Sequence, residues 1–470
     1  MTTRLVGVLE LASKYRYGLT SHGTPLYLFR PYDEKSPDFV VGSNERDLSK
    51  NQIAVIDVPG RIITDGVQKP RGSLVRLIGP VGEREAETAA LLQHYCPTTH
   101  PRTAVAVAVA VATTETTESR IELSQATGWI TFHVDPPGCR DIDDAIAYHP
   151  ETGRMAITIA DVASTIQMGS ALDRVAKEIG TSFYDLEGRV VRPMLPPALS
   201  EDALSLLPGQ RRRGVSYIFG PSGTPREWAL SWITVAHSFT YEAFASSDIA
   251  TNILKIAKEK DPHDWIADMM ILYNGRAAAL LKKNGIGLLR TQATAAAQPG
   301  DKWPPALKHL ANEAALYEPV STTDQGHAGL GLSVYAHASS PLRRYADLVN
   351  QRILTALITN RNSCPAEHDP IDTTAIHLNE RTKAAKRWTR DLTFLAHVSP
   401  GKVHEIAVLW ISEKQVWVPA WNMILKLRHE VPAPPAPGTE DRIQIFCDPT
   451  RRNWKRRILT ATAATVVATP

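Results

Sequence analysis

The chain has 470 residues, 43% of them hydrophobic and 21% charged, with a formal net charge of +3. That length leaves room for roughly two to four domains, the mild basicity neither demands nor excludes nucleic acid, and no run approaches the ~18 consecutive apolar residues of a membrane span. The four cysteines, Cys96, Cys139, Cys364 and Cys447, are scattered without CxxC spacing, so neither a structural zinc site nor a disulfide framework is indicated. With no apolar signal-peptide core after Met1, the expectation is an intracellular protein, cytoplasmic or nuclear and not secreted.

Leu5–Leu9, Leu26–Phe29, Phe39–Val41, Gln52–Asp57 and Leu74–Ile78 read as short strands separated by Gly/Pro/Asn/Asp turns. Several short strands with no helical period between them predict a small closed barrel over 1–96. Barrels of this kind bind single strands through basic and aromatic side chains on one face, and Lys14, Tyr15, Arg16, Tyr17, Tyr27, Phe29 and Arg30 are the candidates. A strand alternates faces, so some of these aromatics fill the core instead. Residues 97–127, Thr-rich and Ala/Val-rich, read as a connector, with Ala104–Ala112 ambiguous between strand and helix.

The chemistry begins at His133-Val-Asp-Pro-Pro-Gly-Cys-Arg-Asp-Ile-Asp-Asp144, which holds Asp135, Asp141, Asp143 and Asp144 with Pro136, Pro137 and Gly138 bending the chain between them. A solvated acidic turn is the plain alternative. The flanks, Trp129–Val134, Ala145–Tyr148 and Met155–Ala160, read as buried strands, and carboxylates packed together there need a cation or a donor. Oxygen-only donors suit Mg²⁺, or Mn²⁺, rather than Zn²⁺, and Mg²⁺ takes its remaining ligands from water and phosphate, so the pattern points to phosphoryl transfer or phosphodiester hydrolysis.

Arg211-Arg-Arg213 is either a solvated face or part of a phosphate channel. Pro262–Lys283 has helical periodicity. Over Tyr335–Leu357, Pro341 is placed to open a helix with Ser340 as its cap, so that Arg343 and Arg344 fall in the first turn, where anions are favoured; an ion pair with Asp347 is the competing role for either arginine. His337 reads as a hydrogen-bonded structural histidine. His377–Leu392 reads as a basic amphipathic helix, and 399–470 returns to strands around a Pro-rich loop at Val431–Gly438. Trp410, Trp417, Trp421 and Trp454, with the basic run Arg451–Arg457, either fill a core or form a surface on which nucleobases could stack.

Val134-Asp-Pro-Pro-Gly-Cys-Arg-Asp-Ile-Asp-Asp-Ala145 resembles the signature of the RNB domain, the catalytic domain of the ribonuclease II/R family, in the form seen in the exosome-type nuclease. Ile159–Val162, Gly180–Tyr184, Pro193–Pro196, Leu199-Ser200, Leu204–Leu206 and Tyr335–Leu348 recur in family order over about half of the chain. The resemblance implies an α+β fold, with an RNB catalytic domain over 128–398 between a cold-shock-like OB barrel at 1–96 and a degenerate OB-like barrel at 399–470. It implies a compact form without the family's N-terminal endonuclease domain.

The resemblance also implies metal-dependent 3′→5′ exoribonuclease activity on single-stranded RNA, yielding nucleoside 5′-monophosphates. Asp135, Asp141 and Asp143 would hold two Mg²⁺ ions, with Asp144 a ligand or a water-positioning group. Arg343 would stabilise the transition state, Tyr184 would pack on the terminal nucleotide, and Arg290, Arg344, Lys14 and Arg16 would bind RNA; Asn274 also matches a family position. The chain would act as a monomer, with recruitment by an RNA-decay assembly left open. Two departures stand out: several dozen family residues are missing between Glu242 and Trp265, and an expected acidic pair is Ala267-Asp268, so only Asp268 can stand in. A catalytically silent RNA-binding regulator is the alternative, although a binder gains nothing from a costly aspartate cluster.

Overall fold

A computed structural model describes residues 2–33, 35–59, 69–114, 118–222, 225–257, 261–293, 307, 310, 313–359, 370–399, 402–427, 435–446 and 460–462. Cys364, Cys447, Trp454 and the run Arg451–Arg457 lie outside the described residues. Among the described residues no helix is long and apolar enough to cross a membrane.

Strands β1 (Thr2–Leu9), β2 (Leu26–Pro31), β3 (Phe39–Gly42), β4 (Gln52–Pro59) and β5 (Arg71–Pro80) close into a barrel in the order β1-β2-β3-β5-β4. The run Ile53–Ile56 is apolar throughout because β4 is buried on both faces. Ala54, Ile56 and Val58 point into the barrel with Tyr27, Phe29 and Phe39, while Ile53 and Val55 join the core that includes Ala86, Ala90 and Leu91 of α1 (Arg84–Tyr95). Tyr27 and Phe29 are therefore core residues, and of the RNA-binding candidates Tyr15 and Tyr17 are the exposed aromatics.

The segment expected to be a bare connector is structured. Helix α2 (Arg102–Thr113) resolves the Ala/Val run as helix, and β6 (Ile121–Leu123) is an edge strand of the main sheet. That sheet has the order β14-β7-β8-β9-β12-β13-β6, with β7 (Ile130–Val134), β8 (Asp144–His149), β9 (Arg154–Ala160), β12 (Arg211–Phe219), β13 (Glu227–Thr234) and β14 (His237–Phe239). The outermost pairs, β14 with β7 and β6 with β13, run parallel, and the rest run antiparallel.

The long helix α6 (Pro262–Asn284) is bounded by local chemistry: Asp261 accepts the His263 N–H at 2.8 Å, Pro262 occupies the first turn, and Gly285 ends the helix in the left-handed region at φ 68°. Helix α7 (Tyr345–Ile358) begins four residues later than the Ser340-Pro341 cue suggests. Residues 343 and 344 instead run beside the end of α3 (Ala171–Ile179): Ser182 N–H donates to Arg343 O at 2.9 Å and Tyr345 N–H to Gly180 O at 2.9 Å. Tertiary pairing holds Arg344 extended, at φ −134° and ψ 124°, which rules out a helical first turn there.

Gly180 is where α3, α7 and α8 (Ile371–His397) meet. Its φ is +74°, and a Cβ there would lie 2.6 Å from the Cβ of Arg381, whose Nε donates to Ile179 O. Gly180→Ala is expected to destabilise the protein by about 1–3 kcal/mol through strain and overpacking, and a melting curve indistinguishable from wild type would contradict this packing. Helix α8 is also tied to α1, which packs on the barrel, since Tyr95 O–H donates to Asp391 at 2.5 Å.

Beyond α8, β17 (Val403–Ser412), β18 (Gln415–Val418), β19 (Met423–Lys426), β20 (Glu440–Phe446) and β21 (Thr460–Thr462) form an antiparallel sheet in the order β19-β18-β17-β20-β21. Among the described residues β19 and β21 are the outer strands of this sheet. Trp410 and Trp417 are buried, and Trp421 packs on Phe394 and His397, which is core work.

Candidate active site

The loop from Asp135 to Asp143 joins β7 to β8 and lies across a cleft of about 810 Å³. Local and long-range bonds both shape it. Gly138 turns at φ +79°, Cys139 N–H returns to Pro136 O at 3.1 Å, and Ser205 Oγ donates to Arg140 O at 2.6 Å while accepting from the Ile142 N–H at 3.0 Å. All four aspartates line the cleft, with Tyr184, Asn274, Tyr335, Arg343 and Arg344.

The carboxylates are held unequally. Asp143, 4% exposed, accepts the Leu342 N–H at 2.9 Å on one oxygen and Arg343 Nε at 3.0 Å on the other. Burial pushes its carboxyl up to about 7, against the pull of Arg343. Burial, then the charges of Asp135 and Asp143, hold Asp144 well above the usual carboxylate range, and Asp144 accepts no side-chain hydrogen bond from another described residue. Asp135 meets His133 Nδ1 at 2.8 Å, and Asp141 meets the Cys139 thiol at 3.4 Å. Burial and the neighbouring Asp135 and Asp141 raise that thiol, so it stays protonated.

The two arginines divide their work. Arg343 faces the acids, and although burial opposes its charge, Asp143 and the Tyr184 phenol keep it firmly ionised. Arg344 is committed to Asp347, with both Nε and Nη2 at 2.8 Å from a carboxylate that is fully buried and also accepts the Ser340 N–H. The ion pair weighed for both arginines thus belongs to Arg344. Tyr184, placed by the short hairpin β10 (Phe183–Tyr184) and β11 (Val190–Arg192), has its phenol pushed up to about 12 by burial, with Arg343 pulling it back and Asp141 and Asp143 adding to the rise.

Other expectations fall elsewhere. Arg290, on β15 (Leu288–Thr291), is buried over the Tyr317 ring at 4.4 Å, its Nη1 without a partner among the described residues, beside the cleft wall at Tyr335 and not among its lining residues. Asn274 bonds Tyr335 O–H, Ser339 Oγ and the Ala338 N–H, which fixes the loop before Arg343. His337 is structural, its Nδ1 bonded to Tyr317 O–H at 2.8 Å. Lys14 and Arg16 sit on an exposed barrel loop, with Arg16 over the Tyr27 ring at 4.6 Å. Arg211 is exposed and pairs with Glu122, as a solvated face would have it, while the half-buried Arg212 and Arg213 donate to Ser205 O and Val111 O.

Asp268 is exposed on the outer side of α6, whereas Ile266 and Met270 face the cleft; the helical period turns it away, so it does not stand in for the acidic pair. Tyr241 was not foreseen. It opens α4 (Tyr241–Ala245), lines the cleft and stacks on His263 at 4.0 Å between ring centroids. Its only sequence signal is its position just after the strand that pairs with β7.

Among the described residues no three acidic, histidine or cysteine side chains converge tightly enough to form a ready-made metal cage. The donor set still fits Mg²⁺ or Mn²⁺ in chemistry, because it is all carboxylate, one member lacks a donor, and two are raised by burial. A raised carboxyl means that the folded chain holds the proton. The associated stability is complete below the unfolded value of about 3.9 and is lost as pH rises through about 7. Metal-free protein should therefore melt lower at pH 8 than at pH 6, and Mg²⁺, which needs deprotonated ligands, should raise the melting temperature more at pH 8. Equal melting at both pH values would contradict the burial of this pair.

Fold and cleft together define an α+β protein whose main sheet presents clustered aspartates to an arginine-bearing turn, beside a small closed barrel. The RNB domain model matches residues 122–248 and 304–360. Exosome complex exonuclease RRP44 of Homo sapiens is 30% identical over 214 residues, a match spanning 44% of this chain and 22% of that protein's length. Ribonuclease R of Mycoplasma genitalium, solved in complex with ribose-methylated single-stranded RNA, superposes with a TM-score of 0.73 at 17% identity, covering 98% of this chain and 90% of that one. The yeast pseudonuclease Ssd1 superposes at 0.64 with 16% identity, covering 96% and 67%. Residues 122–248 and 304–360 thus match an RNB domain, and the relatives matched include ribonuclease R, ribonuclease II and RRP44.

Proposed function

We propose that the chain is a metal-dependent 3′→5′ exoribonuclease that shortens single-stranded RNA and releases nucleoside 5′-monophosphates. The observation that carries this reading is the meeting of Asp143 and Arg343, 200 residues apart in sequence, in a cleft that all four aspartates line. Asp135, Asp141, Asp143 and Asp144 would hold Mg²⁺, or Mn²⁺, two ions in this reading, which when bound supply a water of lowered pKa and neutralise charge on the leaving oxygen.

The chain's own groups do the rest. Arg343 exchanges Asp143 for the scissile phosphate and stabilises the charge that develops there. Tyr184, on the wall beside it, packs on the terminal nucleotide. Asn274 and Asp347 hold the turn that carries Arg343. Upstream RNA runs over the barrel loop with Lys14, Tyr15 and Arg16, where phosphate contacts by Lys14 and Arg16 make binding salt-sensitive, and Arg290, buried behind the cleft wall, acts through Tyr335 and Tyr317 rather than by touching RNA. Arg344, spent on Asp347, contributes positive potential more than a direct contact.

A second reading, a silent RNA-binding protein, is favoured by one observation: both oxygens of Asp143 are already engaged by protein donors. Single-stranded RNA labelled at its 5′ end, incubated with and without Mg²⁺, separates the two. A ladder receding from the 3′ end only with Mg²⁺ supports the nuclease, and tight binding with no shortening supports the silent protein.

A further inference from the structure

Of the four cleft carboxylates, Asp135 is the one held by an imidazole. His133 lies two residues before it in β7 and is 5% exposed, with Nδ1 2.8 Å from Asp135 Oδ2. A carboxylate only accepts, so the proton of this bond sits on Nδ1. The backbone of Asp135 is fixed too, because its N–H donates to Phe239 O at 3.0 Å. Both the main chain and one carboxylate oxygen are thus tied down before any ligand arrives.

Packing does not account for this histidine. Strand alternation sends Phe132 and Val134 into the cluster with Phe244 and Trp265 and turns His133 to the opposite face. Its buried Nε2 has no partner among the described residues. A side chain kept only to fill space would not leave a ring nitrogen unsatisfied in the interior. What the imidazole does on the page is orient one acid.

We propose that His133 is the positioning residue for Asp135: its Nδ1–H pins Oδ2 and leaves Oδ1 as the single oxygen offered to a divalent cation. This rests on reading the four aspartates as cation donors. A partner that orients a ligand in this way typically matters about 10–100-fold in metal affinity.

The test uses the full chain and Mn²⁺ alone as probe, with free ion followed by electron paramagnetic resonance, so that no turnover is needed. His133→Ala should weaken Mn²⁺ binding at least about tenfold. His133→Asn, whose amide N–H can take the place of Nδ1–H, should restore most of it, and it keeps the test open if the alanine variant does not fold. Wild-type affinity in His133→Ala, or an asparagine variant that folds and binds no better than alanine, overturns the proposal. Asp143→Asn serves as the reference: weakened Mn²⁺ binding there with none in His133→Ala sinks this inference alone, whereas a wild type that binds no Mn²⁺ sinks the metal reading and this inference with it.

Discussion

Replacing Asp143 by asparagine is expected to slow RNA cleavage about a thousandfold or more, equivalent to about 4 kcal/mol of transition-state stabilisation, while RNA affinity stays within about threefold. The carboxamide is nearly the same size, and its oxygen can still accept the Leu342 N–H that now bonds Asp143. The fold around the turn should therefore persist. What is lost is the charge. An amide is a weak donor to Mg²⁺, and its NH₂ would face Arg343 Nε across a contact that is now a 3.0 Å ion pair. Single-turnover cleavage at saturating enzyme, paired with a filter-binding isotherm, reads both quantities. Wild-type cleavage by this variant would show that Asp143 has been given the wrong role.

Asp347→Ala is expected to cost about 3–5 kcal/mol of stability and to abolish most of the cleavage that remains in the folded fraction. Asp347 is fully buried and serves two customers, the guanidinium of Arg344 and the Ser340 N–H. Removing it leaves a desolvated cation with no counter-charge and an orphaned backbone donor, each a larger loss than the pair's net contribution. The turn that carries Leu342 and Arg343 starts at that same Ser340 N–H, so its release should also move the two donors that grip Asp143. Denaturant unfolding gives the stability loss. A drop below about 1 kcal/mol would mean that water reaches Arg344 and that the pair is a surface one.

Much of the site was legible. Four aspartates within Asp135–Asp144, flanked by apolar strands, announce a carboxylate-rich pocket through residue type and spacing alone. Helix α6 could be read at both ends because Asp261, Pro262 and Gly285 act within a turn of themselves. Helix α7 misled at its start because Ser340 and Pro341 signal a local cap, while bonds to Gly180 and Ser182 hold residues 343 and 344 out of the helix. Tyr241 was missed for a similar reason: its strand is brought beside β7 by pairings such as Ala236 with Thr131, 105 residues away. Asp268 shows the limit of carrying a family position across, since one step along a helix decides which side an acid faces.

By itself the sequence determined which chemical groups exist and how they are spaced along each strand or helix: the acidic loop, the arginine pair, the apolar alternation of a closed barrel. Only the tertiary structure decided partnership, giving Arg343 to Asp143, Arg344 to Asp347 and His133 to Asp135. Hydrogen bonds and ion pairs act over a few ångströms, and which groups come that close depends on strand order and helix docking between segments up to hundreds of residues apart, information that no local window of residues contains.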